Sequence, residues 1–175
     1  MIIRDTEIQG VQIITPQVYM DGRGFFMEIF RKYMFPEFVQ DNIVGSKQRV
    51  LRGLHYQTNH PQGKLMMAVT GTIFEVAVDV RTGSSTFGKW VSYTLTEQNK
   101  EIMYIAPGFM TGTLILSEWA TLLYKATDYY DPDNVIAVNW NDPDLDIKWP
   151  INFPILKDGD ENAMTFKEAF SDRQS

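Results

Sequence analysis

The sequence predicts an all-β domain rolled into a jelly-roll barrel with short peripheral helices. Three observations predict it. Apolar and β-branched residues alternate along most of the chain, Gly, Pro, Asn, Asp or Ser bounds each such run, and only two short segments carry helical spacing. Turn signals recurring about every ten residues are the pattern of a sandwich or barrel. Antiparallel strands in this number remove their exposed edges most simply by closing on themselves.

Taken in chain order, "GVQIITPQVYM", "KLMMAVTGTIFEVAVDVRTG", "KWVSYTLTE", "EIMYIAPG", "GTLILSE", "TLLYKATDYY" and "IAVNWND" read as strands. The "TGT" of residues 70–72 lies between two apolar runs and predicts a tight hairpin. "RKYMFPEF" and "TFKEAF" are the two short helix candidates. With no repeat, linker or low-complexity tract, residues 1–175 are expected to form one domain, a length that buries one good core.

Composition narrows the functional classes. The chain has no cysteine, so thiolate catalysis, disulfides and cysteine-ligated metal sites are excluded. A net charge of −6 disfavours nucleic acid as a partner, since that binding needs a basic face. It leaves room for a small anion held by a few converging cations. The opening "MIIRDTEIQGVQIITP" lacks the apolar core of a signal peptide, and no run approaches the roughly 20 apolar residues of a membrane span. The expectation is a cytoplasmic protein with no membrane partner.

Histidine is scarce, at two residues, and His55 stands in "QRVLRGLHYQ" beside Arg52. The two have opposite strand parity and would point to opposite faces of a regular strand. Gly53 between them permits a bulge that brings them to one face. A lone histidine serves structure as readily as catalysis, and a catalytic one needs a carboxylate to orient it. His60 in "TNHPQG" reads as a solvated loop residue. Two histidines, one of them in a loop, are too few for the usual metal site of a small barrel, so no metal is expected. "DGRGFFMEIF" offers Asp21, Arg23 and Glu28 around a turn with two aromatics, and "YKATDYYDPDN" offers Tyr124, Tyr129 and Tyr130. Each is compatible with ordinary packing or with a ligand site.

Set in order, "DGRGFFME", "FVQDN", "VLRGLHYQ", "QGKL", "FEVAVDVR", "STFGKWV", "APGF", "LLYKATDYY", "WNDPDLDIKWP" and "ILKDGDENA" resemble the dTDP-4-dehydrorhamnose 3,5-epimerase family, from about Val11 to Ala163. The resemblance implies a cupin-type double-stranded jelly roll, a homodimer, no cofactor, and a dTDP-4-keto-6-deoxy sugar nucleotide as substrate. It implies His55 as the base, paired with Asp160, with Asp158 two residues away as the alternative partner. It further implies Lys64 and Arg52 near the enolate oxygen and the phosphates, and Tyr124 as the acid on the opposite sugar face. Nucleotide contacts would fall on Arg23, Glu28, Gln40 and Asn42, with Tyr19 and Tyr130 near the base.

The chain departs from the family where "GFMTGT" replaces the usual "GFAHGF", and "DNIV" the usual "DNHS". Thr111, Thr113, Ile43 and Val44 therefore stand where the family carries His, Phe, His and Ser. The expectation is a loosened or reshaped sugar end. The leading reading is a 3,5-epimerase. Behind it stand a single-centre or variant-sugar epimerase, a 3,4-ketoisomerase, and a non-catalytic sugar-nucleotide-binding barrel, which would have no use for His55, Asp160, Lys64 and Tyr124 together.

Overall fold

The computed structural model describes residues 1–35 and 37–171. The chain opens with β1 (Ile2–Asp5) and β2 (Val11–Thr15), followed by a ribbon of β3 (Val18–Asp21) and β4 (Gly24–Met27). Then come β5 (Gln40–Lys47), β6 (Leu51–Gln57), β7 (Lys64–Thr70), β8 (Thr72–Asp79) and β9 (Trp90–Thr96). The later strands are β10 (Ile102–Ile105), β11 (Phe109–Ile115), β12 (Trp119–Ala126) and β13 (Val135–Ala137), and α1 (Phe166–Ala169) lies near the C-terminus.

Two antiparallel sheets form the jelly roll: a six-stranded one ordered β1-β2-β10-β7-β12-β5 and a five-stranded one ordered β13-β6-β11-β8-β9. Among the described residues, β3 and β4 pair only with each other. The predicted strand over residues 10–20 is split at Pro16, which cannot donate to a ladder, into β2 and β3. "RKYMFPEF" forms a 3-10 turn over Lys32–Met34 rather than an α-helix. "TFKEAF" does form a helix, α1, started by a capping box in which the Thr165 hydroxyl accepts from the Glu168 amide and the Glu168 carboxylate accepts from the Thr165 amide.

The expected hairpin at residues 70–72 is not one. β7 pairs with β10 and β12, whereas β8 pairs with β9 and β11, so Gly71 is a corner where the chain leaves one sheet for the other. A Cβ at Gly71, where φ is +75°, would fall 2.2 Å from the Trp119 carbonyl oxygen. The tight turn was legible; the sheet that the next strand joins depends on distant partners.

Strand alternation sorts the side chains. Ile13, Met66, Ala68, Ile73, Ala77, Phe109, Ile115, Ala120 and Leu122 belong to the cluster between the sheets. Their neighbours Ile14, Leu65 and Met67 pack outside the six-stranded sheet, with Phe30, Phe35 and Phe38 over them. Leu54, Val76, Val78 and Met110 pack outside the five-stranded sheet, covered by Leu145, Phe166 and Phe170. Burial of each such side chain contributes about 1.5–3 kcal/mol. Lys64, Glu75, Thr111, Thr113 and Tyr124 share the inward parity of the first cluster, so the interior turns polar along these rows.

Candidate active site

The β6–β11 register runs Thr111 opposite His55 and Thr113 opposite Arg52, so β6 spends one more residue than its partner between the two pairs. That is the bulge expected at Gly53, which adopts φ +126° and whose Cβ would meet the Thr111 carbonyl oxygen at 2.5 Å. The extra residue cancels the parity difference. Arg52 and His55 consequently border the same cavity, a space of about 300 Å³ inside the barrel mouth.

The His55 Nε2 atom lies 3.2 Å from both carboxylate oxygens of Asp160, with hydrogen-bond geometry toward Oδ1. Asp160 is buried at the start of a 3-10 turn over Asp160–Asn162. Asp158, the alternative partner, is exposed. In the tautomer that donates Nε2–H to Asp160, His55 keeps a lone pair on Nδ1, an arrangement able to take up a proton with the carboxylate as countercharge.

Lys64 enters from the opposite sheet. Its Nζ donates to the Thr111 hydroxyl at 2.7 Å and stands 5.9 Å from the centroid of the Tyr124 ring. Burial lowers the Lys64 pKa below the usual lysine range, and the charge of nearby Glu75 opposes that fall. Burial raises the Tyr124 phenol, helped by neighbouring Tyr130 and Glu75 against the pull of Arg52, so it is held protonated. Arg52 donates from Nε to the Ser46 hydroxyl at 3.0 Å, and Tyr130 and Lys157 also border the cavity.

Along β5, Asn42 pairs directly with Tyr124 of β12. Gln40 donates to Asn42 at 2.9 Å and accepts from the Tyr130 amide at 3.0 Å, which braces the loop carrying Tyr130. Tyr19, Arg23 and Glu28 are not brought to this cavity. Tyr19 and Arg23 lie on the β3–β4 ribbon and Glu28 just after it, bordering separate hollows there. Arg23, 90% exposed, pairs with Asp21, and Glu28 pairs with Arg31. His60 is largely exposed in a loop near Asp128, as expected.

Two groups escaped the sequence reading. Lys157 brings a cation to the cavity just before Asp160. Glu75 is fully buried on β8 and accepts from the Thr113 hydroxyl at 2.6 Å. Burial drives its pKa up, against the Thr113 hydrogen bond and the charge of Lys64. At positions 111 and 113 both threonines are buried and hydrogen bonded. Ile43 points to solvent and Val44 lines the cavity.

Chemically, the arrangement offers a base oriented by a carboxylate, a cation, and a protonated phenol around one space. Residues 5–168 match the family model of dTDP-4-dehydrorhamnose 3,5-epimerase. The dTDP-4-dehydrorhamnose 3,5-epimerase of Neisseria gonorrhoeae is 47% identical over 97% of this chain, which spans 54% of that relative's length. The structure superposes with a TM-score of 0.90 on dTDP-6-deoxy-D-glucose-3,5-epimerase of Legionella pneumophila in complex with dTDP-4-keto-L-rhamnose, 42% identical over 93% of this chain and 91% of that one. It superposes with a TM-score of 0.86 on ChmJ, a 3'-monoepimerase from Streptomyces bikiniensis in complex with dTDP-quinovose, 35% identical over 96% of this chain and 88% of that one. With almost its whole length matched to one family model, the chain belongs to the dTDP-4-dehydrorhamnose 3,5-epimerase family of isomerases.

Proposed function

We propose that this protein inverts carbons 3 and 5 of dTDP-4-dehydro-6-deoxyglucose to give dTDP-4-dehydrorhamnose, in the cytoplasm, as a step toward cell-surface polysaccharide. The observation that carries the reading is the meeting of the His55–Asp160 pair, Lys64 and Tyr124 on one cavity. The carbon 4 ketone acidifies the hydrogens on carbons 3 and 5. His55 removes one of them, and the C–H electron pair moves onto the ketone oxygen as an enolate. The Lys64 ammonium stabilises that oxygen where its charge appears. The Tyr124 phenol then delivers a proton to the opposite face of the same carbon; the phenolate regains a proton from solvent, the imidazolium gives one up, and the cycle repeats at the second carbon. Proton count and oxidation state are unchanged, so the reaction needs no cofactor. Oriented acid–base groups supply about 10²–10⁴-fold, and preorganised donors to the oxyanion about 10²–10³-fold.

The assembly we propose is a homodimer. The β3–β4 ribbon exposes Tyr19, Met20, Phe25 and Phe26 and joins neither main sheet. A contiguous apolar ribbon of this kind suits a second copy, whose cavity would receive Tyr19, Arg23 and Glu28 as nucleotide contacts. A single-centre epimerase is the second reading, favoured by the likeness to the monoepimerase ChmJ.

Incubation with dTDP-4-dehydro-6-deoxyglucose in deuterated water, followed by NMR, tests the function. Deuterium at carbons 3 and 5 is expected. Deuterium at one carbon alone selects the single-centre reading, and a moved carbonyl overturns both.

A further inference from the structure

Glu75 stands on the inward row of β8 between Ile73 and Ala77, in the core between the sheets, and is fully buried. It sits directly opposite Thr113 of β11, whose hydroxyl donates to Oε2 at 2.6 Å. Oε1 is buried too and accepts no hydrogen bond among the described residues. Two residues back on the same inward row of β11, the Thr111 hydroxyl takes the Lys64 ammonium at 2.7 Å. Two threonines on one strand thus hold a carboxylate from one sheet and an ammonium from the other.

A buried carboxylate with a bare oxygen is expensive, and an apolar residue of the same volume would fill this place at lower cost. Glu75 is not among the residues bordering the cavity, whereas Lys64 and both threonines are. Its action is therefore through Lys64. We propose that Glu75 is a positioning residue: anchored by Thr113, it keeps the Lys64 ammonium charged and fixed at the place where the enolate oxygen forms. This rests on the enolate reading above. It also gives positions 111 and 113 a joint role, in which the two threonines are stops for the pair.

The physical need is plain. A lysine in a closed cavity drifts toward the neutral amine, which cannot stabilise an oxyanion, and substrate entry sharpens that drift by expelling water. Burial acts on Lys64 in this direction and Glu75 acts against it. The other titratable or charged groups bordering the cavity are Arg52 and His55 of β6, Tyr124 of β12, and Tyr130, Lys157 and Asp160 of the loops. The other carboxylate among them, Asp160, is engaged with His55, which leaves Glu75 as the countercharge facing Lys64.

The test is Glu75→Gln, which keeps the shape and an oxygen for Thr113 but removes the charge. Wild type and variant are compared in turnover against pH, and in ¹³C NMR of lysine-labelled protein, with the Lys64 signal identified by its absence in Lys64→Met. The variant is expected to lose on the order of 10²-fold in kcat, with KM changed by less than about threefold. Its alkaline limb and its Lys64 titration should both move to lower pH by about one unit or more. Equal Lys64 midpoints, or an unchanged kcat and pH profile, overturn the proposal. If Glu75→Gln does not fold, Thr113→Val takes its place under the same measurements, with an expected drop of about tenfold. A wild type that turns over no 4-keto sugar nucleotide would instead remove the enolate reading, and the NMR titration would still report whether Glu75 controls Lys64.

Discussion

Asp160 holds the ring of His55 from 105 residues away in the chain, its two carboxylate oxygens each 3.2 Å from Nε2. The carboxylate is buried and the imidazole is one-third exposed toward the cavity. The pair therefore presents the imidazole to the cavity, backed by a buried carboxylate.

This geometry predicts unequal losses. His55→Ala removes the base and should abolish solvent deuterium exchange into the sugar. Asp160→Asn retains a partner for the ring but not the countercharge of the imidazolium, and should lower kcat by about 10²–10⁴-fold, the span ascribed to oriented acid–base groups. Exchange at the wild-type rate in His55→Ala would exclude His55 as the base.

The ribbon predicts the assembly. Phe26 is 67% exposed and shares the ribbon with Tyr19, its ring 6.4 Å away. Phe26→Glu should shift the dimer toward monomer in light scattering and raise KM. An unchanged mass, or a wild type that is already monomeric, would reassign the ribbon.

Away from the site, Asp79 predicts an acid limit to stability. Its carboxylate is completely enclosed, which burial alone would push upward. Hydrogen bonds from Arg81, Ser84 and Thr86 overcome that and bring it to about 2. A lowered folded-state pKa gives stability that is present above the unfolded value of about 3.9 and is lost as pH falls toward 2, here about 2 kcal/mol. Urea titrations should show that loss between about pH 4 and pH 2 in the wild type. In Asp79→Asn the wild-type loss over that window should be smaller, with lower stability at neutral pH.

Gly53 links backbone to chemistry. At φ +126°, with the Thr111 carbonyl oxygen 2.5 Å from the place of a Cβ, alanine cannot be fitted without moving β6 or β11. Gly53→Ala should cost about 1–3 kcal/mol for the special backbone conformation, measured by chemical unfolding. Should the bulge be lost, Arg52 and His55 return to opposite faces, so kcat should fall more than stability accounts for.

The barrel was legible because a period of two survives local variation, and the Gly53 bulge because parity made Arg52 and His55 irreconcilable without it. The partner of His55 was not legible from spacing. Nothing local ties residue 55 to residue 160, and only the likeness to a family joined them. Gly71 was misread as a hairpin because turn chemistry is local whereas sheet membership is not. Glu75 was passed over as one acidic residue in an apolar strand. The signal was present in its parity with Ile73 and Ala77, which places a carboxylate on a core-facing row.

Tyr124 supplies the last prediction. Burial and its neighbours hold the phenol protonated beyond the usual tyrosine pKa of about 10, so it remains a donor across neutral and moderately alkaline pH. An alkaline loss of activity below that value therefore belongs to another group, and Lys64, shifted downward by burial, is the one placed to cause it. Tyr124→Phe keeps the ring on the inward row of β12 and leaves His55, Asp160 and Lys64 intact. Proton removal should persist, and the enolate should be reprotonated from the face it left. Deuterium should then enter the starting sugar without inversion, while epimerised product falls by about 10²-fold or more. Retained exchange with lost inversion identifies Tyr124 as the opposite-face acid. Equal loss of exchange and inversion assigns it to enolate formation instead, and unchanged inversion removes it from the chemistry.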